Sequence, residues 1–319
     1  MKKCAIVVPT IRQESIMRFI KEWNIEDNED YTLFVIEDHK TKEFTLPKYI
    51  RHYSHEEIMN ELFPYELMCL GSASNRIFGF WRAWKEGYSN TLTLDDDCYP
   101  EPGDNIFSLI KKHEEVLRPT RNNHFHHTME EDYARGVPYV YRTPTKVAVS
   151  IGGWSNVPDV DGITQLDYET IPTARLPHGN RTIEIVPYGV PITLCGMNVF
   201  FPTEMTPYMF FWPHLGLYKR YDDIWLGYVL KLHCDKHNLA ICINGNASIR
   251  HDRASNAMSN LKKESDNGGY ELNAILADNF YKAKDNFFHS NIKEFDNYLH
   301  KIKNLYIVWL TLFGVQYES

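Results

Sequence analysis

The chain has 319 residues, of which 43% are hydrophobic, 24% charged and 14% aromatic. That composition excludes a disordered or low-complexity chain, and at this length about three-quarters of the unfolded surface should be buried. The net charge of −8 excludes a general nucleic-acid binder, although a local arginine cluster can still meet an anionic ligand.

The opening run at residues 4–8 is short, apolar and closed by Pro9, as in a buried strand. It is too short for a secretory signal. Residues 13–24 carry a helical pattern with Ile16, Phe19, Ile20 and Trp23 on one face. A second β-rich run at 31–36 ends in Glu37-Asp38. Residues 72–84 read as a helix and 91–94 as a strand. Strands alternating with helices predict an α/β fold with a doubly wound, mostly parallel sheet flanked by helices. The middle, 120–215, is rich in Pro, Gly and aromatics, with strand-like pieces at 146–151 and 182–186, and predicts an added β and loop region. A helix at 224–233, a strand at 240–243 and a helical tail from 269 onward complete the series. The apolar stretch at 305–315 is about half the twenty residues that a membrane-spanning helix needs. Six scattered cysteines (Cys4, Cys69, Cys98, Cys195, Cys234, Cys242) form no CxxC pair and read as reduced core residues. A soluble cytoplasmic protein without a membrane span is the expectation.

In such sheets ligands bind beyond the carboxyl ends of the strands. Three polar groups fall there: Thr10-Ile-Arg12, Glu37-Asp38 and Asp95-Asp96-Asp97. Acids after strands are often ordinary turn residues. Three consecutive aspartates repel one another unless a cation or solvent relieves them. Alternation along the strand sends Asp95 and Asp97 to the same side, where two carboxylates can hold Mn²⁺ or Mg²⁺ against a pyrophosphate leaving group. Arg12 and Arg76 are candidate phosphate donors, with a solvent-facing helix-start arginine as the alternative for Arg76. Asp222 and Asp223 precede an apolar helix and either cap it or act on a sugar hydroxyl. His251 follows a strand and can complete a metal site or be structural. His124-Phe-His-His127 resembles a metal tract without a matching acid, and His233-Cys-Asp-Lys-His237 has close ligands that a helix would not point at one centre. Met209-Phe-Phe-Trp212 reads as core or a sugar-stacking wall. The absence of P-loop, GxSxG and GxGxxG patterns removes kinase-type NTPases, serine hydrolases and dinucleotide oxidoreductases.

Taken together, Val7-Val-Pro-Thr-Ile-Arg12, Asp95-Asp-Asp-Cys98, Cys195-Gly-Met-Asn198, Arg220-Tyr-Asp-Asp-Ile-Trp225, Ala254-Ser-Asn256 and Asn260-Leu-Lys-Lys-Glu264 resemble the reversibly glycosylated polypeptides, which include the plant UDP-arabinopyranose mutases. Pro158-Asp159 with Thr164-Gln-Leu166 adds to the likeness. The resemblance implies a GT-A-like fold, a UDP-sugar ligand, and Mn²⁺ or Mg²⁺ at the aspartate triplet. It further implies pyranose–furanose interconversion of UDP-arabinose with reversible self-glycosylation. The family's two important arginines match Arg135 and Arg142 in Arg135-Gly-Val-Pro-Tyr-Val-Tyr-Arg142. A guanidinium is almost never deprotonated, so Arg135 is expected to act by charge and position rather than as a nucleophile. The phrase at 124–132 and the tail beyond about residue 270 depart from the family.

The sequence thus leads to a catalytic domain at 1–265 and a helical extension at 266–319. Residues 1–100 form the nucleotide-binding half of that domain and 101–265 the sugar or acceptor half. The expected site comprises Arg135, Arg142, Asp222 and Asp223 as catalytic residues; Thr10, Arg12, Glu37, Asp38 and Arg76 at the nucleotide; and Asp95, Asp97 and His251 at the metal. Partners are a UDP-sugar and no nucleic acid, with a homo-oligomer left open. Two alternatives stand beside the mutase: a glycosyltransferase acting on a glycan or protein, and a non-catalytic partner subunit that binds UDP-sugar.

Overall fold

A computed structural model describes residues 4–125, 133, 135–157, 159–170, 182–253, 256–282 and 287–317. The amino-terminal half is built from β1 (Cys4–Thr10), α1 (Gln13–Glu22), β2 (Tyr31–Glu37), β3 (Arg51–Tyr53), α2 (His55–Met59), α3 (Arg76–Lys85), β4 (Asn90–Leu94), β5 (Cys98–Tyr99) and α4 (Ile106–Glu114). Next come β6 (Pro119–Thr120), β7 (Thr145–Asn156), α5 (Gly162–Thr170), β8 (Ile183–Ile185) and β9 (Asn198–Pro202). The chain continues with α6 (Asp222–Lys236), β10 (Leu239–His251), α7 (Ala257–Ser265), α8 (Gly269–Lys282) and α9 (Lys293–Thr311).

All these strands join one sheet in the order β3-β2-β1-β4-β9-β7-β10-β5, with β6 on β7 and β8 on β10. The β3-β2-β1-β4 portion is parallel throughout. Beyond it β9 runs antiparallel to β4 and β7, while β7 and β10 are again parallel. The parallel portion is the one that the alternating pattern predicts; the mixed portion corresponds to the added β-region.

β1 is buried along its whole length because alternate residues enter two cores. Ala5 and Val7 join one core with Phe34, Ile36, Ile77, Phe78 and Trp81. Cys4, Ile6 and Val8 face the other, with Ile16, Phe19, Leu33, Val35 and Leu109. Helices therefore cover both faces, α3 on one side and α1 with α4 on the other. Trp23, just past α1, is buried and its indole donates to the Cys98 carbonyl at 2.8 Å, tying that helix to β5.

The tail packs onto the same side as α3. Tyr306, Trp309 and Leu310 of α9 share a core with Phe63 and Trp81, and Trp309 donates to the Pro207 carbonyl at 3.0 Å. Met209, Phe210, Phe211 and Trp212 are core residues. Among the described residues no helix is long and apolar enough to cross a membrane. All six cysteines are free, as expected.

Candidate active site

The carboxyl ends of β1 and β4 lie side by side because the strands pair in parallel register. That register brings Thr10 and Arg12 against the aspartate triplet. Thr10 donates its hydroxyl to Asp96 Oδ2 at 2.5 Å, and Arg12 forks onto Asp96 through Nε at 3.2 Å and through Nη2. Arg12 Nη2 also reaches Asp97 Oδ2 at 3.1 Å. Asp96 is thus the pillar that fixes Arg12, which the sequence could not separate from its two neighbours. Burial raises the Asp96 pKa despite the donors from Arg12 and Thr10.

Arg76 is buried beneath the triplet, its side chain 2% exposed. Its Nη2 holds Asp95 Oδ1 at 2.5 Å, Nη1 donates to Thr93 Oγ1 at 2.9 Å and to the Gly196 carbonyl, and Nε donates to the Ala73 carbonyl at 2.9 Å. These partners make it the group that orients Asp95, rather than a solvent-facing helix-start residue. Glu37 is equally internal: it accepts from the amides of Glu43 and Phe44 and meets His39 and His52. It organises the loop after β2. Asp38 lies at the cleft, where Oδ2 accepts from the amides of Gly71 at 2.7 Å and Ser72 at 3.1 Å. Gly71 sits at φ +77°, a conformation that side chains disfavour, and this lets both amides converge on one carboxylate. His55 and Asn75 take Oδ1, each at 2.8 Å.

Two clefts adjoin across the triplet. The smaller, about 230 Å³, is lined by Thr10, Arg12, Asp38, Gly71 and Ser72. The larger, about 720 Å³, is lined by Trp154, Asp159, Cys195, Arg220, Asp222 and Asp223. Ala73, Asp95, Asp97 and Arg253 border both. One ligand can therefore extend from the first cleft into the second past the aspartates.

The pair Asp222 and Asp223 forms the first turn of α6. Asp223 does more than cap that helix: Oδ2 accepts from the Gly196 amide at 2.9 Å and Oδ1 from the Ile224 amide at 2.8 Å. Burial, then the charge of Asp222, pushes the Asp223 pKa up to about 8. Burial also raises Asp222, against the opposing pull of Arg76. Two adjacent carboxyls that resist double ionisation form a proton-holding pair.

Asp95, Asp97 and His251 were expected to hold a metal. All three border the larger cleft, and His251 Nε2 lies 3.8 Å from Asp97 Oδ1. His251 Nδ1 donates to the Val157 carbonyl at 2.9 Å, which fixes the ring and turns Nε2 toward Asp97. Carboxylate oxygens with one imidazole nitrogen are a donor set that fits Mn²⁺ and, less well, Mg²⁺. Among the described residues no three such donors already converge on one point. Arginines hold the carboxylates instead.

Arg135 and Arg142 are not brought to this cleft. Arg142 donates to the Val137 carbonyl through Nε and Nη2, both at 3.1 Å, and its guanidinium lies 4.2 Å from the centre of the Tyr139 ring. It precedes β7, whose first residue, Thr145, is at the end of the sheet opposite the aspartates. Register matches Ile151 to Val199 and Val199 to Thr93. At 3.3 Å per residue this places Thr145 about 25 Å below Asp95 along the strands. Arg135 is exposed on the same segment. The histidine tracts are structural where described: His124 stacks on Tyr188 with ring centres 4.0 Å apart, and His233 on Tyr208 at 3.4 Å. His126 and His127 lie outside the described residues.

Several cleft residues had no sequence signal of their own: Trp154, Arg253 and Tyr270. Others appeared only as motif letters. Glu264 accepts from Arg220 Nε at 2.8 Å, the Gly162 amide at 2.8 Å and the Tyr270 hydroxyl at 3.0 Å. Asn260 donates to Gln165 at 3.0 Å, so motif segments a hundred residues apart close one wall.

A sequence profile described as "Reversibly glycosylated polypeptide" matches residues 1–284. The chain belongs to this family. Its relatives include UDP-arabinopyranose mutase 1 of Oryza sativa subsp. japonica, 31% identical over 279 residues that cover 81% of this chain and 72% of the relative. UDP-arabinopyranose mutase 2 of Arabidopsis thaliana is 27% identical over 338 residues, covering 96% and 89%. Among solved structures, a mannosyltransferase from Pyrobaculum calidifontis in complex with GDP-Man and Mn²⁺ overlays with a TM-score of 0.43 at 10% identity. That overlay covers 98% of this chain and 73% of the other.

Proposed function

We propose that this member of the reversibly glycosylated polypeptide family is an enzyme, a UDP-sugar mutase that interconverts UDP-arabinopyranose and UDP-arabinofuranose or a closely related pair. The observation that carries the reading is the proton-holding pair Asp222–Asp223, placed in a cleft continuous with the Thr10–Arg12–Asp38 cleft across Asp95 and Asp97. The uridine occupies the smaller cleft, the diphosphate crosses the aspartates, and the sugar enters the larger one. Mn²⁺ or Mg²⁺ bound by Asp95, Asp97 and His251 supplies charge neutralisation at the departing diphosphate.

The chemistry asks little net proton movement. Exchanging a pyranose for a furanose returns a proton to one sugar oxygen and removes it from another. Near neutral pH Asp223 is the protonated partner. Once the diphosphate oxygen has left the anomeric carbon, a sugar hydroxyl bonds to that carbon and gives its proton to Asp222. The bond from that carbon to the old ring oxygen then breaks as Asp223 protonates the oxygen, and the diphosphate oxygen bonds to the carbon again, leaving the pair with the one proton it began with. Arg76 holds Asp95 in place, and Arg12 presents a guanidinium fixed by Asp96. Trp154 supplies a flat apolar wall beside the sugar.

Arg135 and Arg142 retain the charge-and-position role in this proposal only if their segment reaches the cleft, from the same chain in another arrangement or from a second copy in a homo-oligomer. Free cysteines agree with a reducing, cytoplasmic setting. The deciding experiment is an acceptor-free assay with UDP-arabinopyranose and Mn²⁺, with and without chelator, followed by anion-exchange chromatography. A chelator-sensitive UDP-arabinofuranose peak supports the mutase. Turnover only when a glycan or protein acceptor is added moves the assignment to a glycosyltransferase, and UDP-sugar binding without any turnover to a non-catalytic subunit.

A further inference from the structure

Asp97 carries more cationic neighbours than its own charge requires. Arg12 Nη2 lies 3.1 Å from Oδ2, and Arg253 Nη1 lies 3.6 Å from the same oxygen. The two arginines differ in how they are held. Arg12 is anchored independently by its fork onto Asp96, and Thr10 braces that carboxylate from the other side. Arg253 has a side chain 60% exposed, and its guanidinium pairs with Asp97. It is also one of the four residues that border both clefts.

Those facts set up a competition. A guanidinium resting on Asp97 neutralises the carboxylate that a divalent cation needs, and the two positive charges exclude each other there. A cation taken up by Asp97 displaces Arg253, whose side chain is 60% exposed and has room to turn away. The displaced guanidinium stays at the boundary between the clefts, where a diphosphate crossing from one to the other presents oxygens that a planar fork binds well.

We propose that Arg253 is a positioning residue that couples the two ligands: it occupies Asp97 in the free protein and transfers to the nucleotide diphosphate when the cation binds. The inference rests on the nucleotide-sugar reading of the site. Cation and nucleotide should then bind with positive coupling, because each removes a cost that the other would meet alone.

The test uses the full chain and two probes, Mn²⁺ alone, followed by the electron paramagnetic resonance of the free ion, and UDP titrated calorimetrically at saturating Mn²⁺. Arg253→Gln should bind Mn²⁺ alone about three- to tenfold more tightly, and UDP in the presence of Mn²⁺ about tenfold or more weakly. Arg253→Lys should restore most of both changes, because it keeps the charge. The opposite signs separate this role from structural damage, which would weaken both ligands. Unchanged or weaker Mn²⁺ binding in Arg253→Gln, or unchanged UDP binding, overturns the inference while leaving the nucleotide site intact. A wild-type chain that binds no UDP at saturating Mn²⁺ overturns the nucleotide reading and this inference with it.

Discussion

Replacing Asp223 by Asn separates the stability of the cleft from its chemistry. In the native protein burial and the charge of Asp222 hold the Asp223 pKa at about 8. In the unfolded chain an aspartate titrates near 3.9. The native state therefore binds the proton more tightly, so the contribution of this carboxyl is fully present below about pH 4 and is lost as pH rises toward 8. Each pH unit inside that window costs about 1.4 kcal/mol, and from pH 5 to pH 8 the wild type loses up to about 4 kcal/mol through this group. Asparagine does not ionise, so the variant escapes the loss. It gives up one acceptor, because the Gly196 and Ile224 amides both donate to the carboxyl and an amide side chain has a single oxygen; this costs about 1 kcal/mol at every pH. With an unfolding entropy of about 2.1 cal/mol/K per residue, 1 kcal/mol corresponds to about 1.5 °C in a chain of this length. The variant should thus melt within about 1 °C of wild type at pH 5 and several degrees above it at pH 8, a relative swing of about 6 °C. Differential scanning calorimetry in metal-free buffer at the two pH values reads this directly. Mutase turnover in the same variant should drop by about 10² to 10⁴. A melting difference that is flat between pH 5 and pH 8 would refute the argument that Asp223 holds a proton in the folded state.

Arg76→Met should lower the melting temperature by about 5–8 °C, because it leaves Asp95 and the Gly196 carbonyl without their buried donor at a cost of about 3–5 kcal/mol. Arg76→Lys should recover little of this, since an ammonium cannot reproduce the fork to Thr93, Gly196 and Asp95; thermal denaturation of both variants checks it. Asp97→Asn should weaken Mn²⁺ binding at least tenfold while the circular dichroism spectrum stays unchanged, and a titration that matches wild type would remove Asp97 from the metal site. Mixing Arg135→Ala chains with Asp95→Asn chains addresses the remote arginines. If a second copy supplies them, each variant alone is inactive and the mixture regains up to about a quarter of wild-type turnover, as random pairing in a dimer leaves one intact site in half the dimers. Full turnover by Arg135→Ala alone would remove Arg135 from the reaction.

Much of the fold was legible because local patterns and burial agreed. The run at 4–8, the helical face of Ile16, Phe19 and Ile20, and the strand before Asp95 each became the expected element, since a short continuous apolar run closed by proline suits a strand covered on both faces and a 3.6-residue apolar period suits a helix covered on one. The parallel amino-terminal half followed from the alternation of strands and helices. The reversed direction of β9 did not, because nothing in a five-residue apolar strand encodes which neighbour it will pair with.

The same division holds in the cleft. Residue type and position after a strand singled out Asp95, Asp97, Thr10 and Arg12 as candidates, and position before an apolar helix singled out the Asp222–Asp223 pair, since chemistry of that kind needs carboxylates and guanidinium groups at element ends. Their division of labour was decided only in three dimensions. Asp96 holds Arg12, Arg76 is buried to orient Asp95, and Glu37 serves a loop rather than the cleft. Each outcome depends on which donor lies within about 3 Å, a distance set by strand register and helix packing. The placement of Arg135 and Arg142 carries the same lesson. The sequence by itself determined which residues this protein possesses for binding and moving charge, and roughly where along each strand they fall. Tertiary structure alone decided which of them share a cavity, because residues such as Arg12 and Asp96, 84 positions apart, meet through packing that no local window of sequence contains.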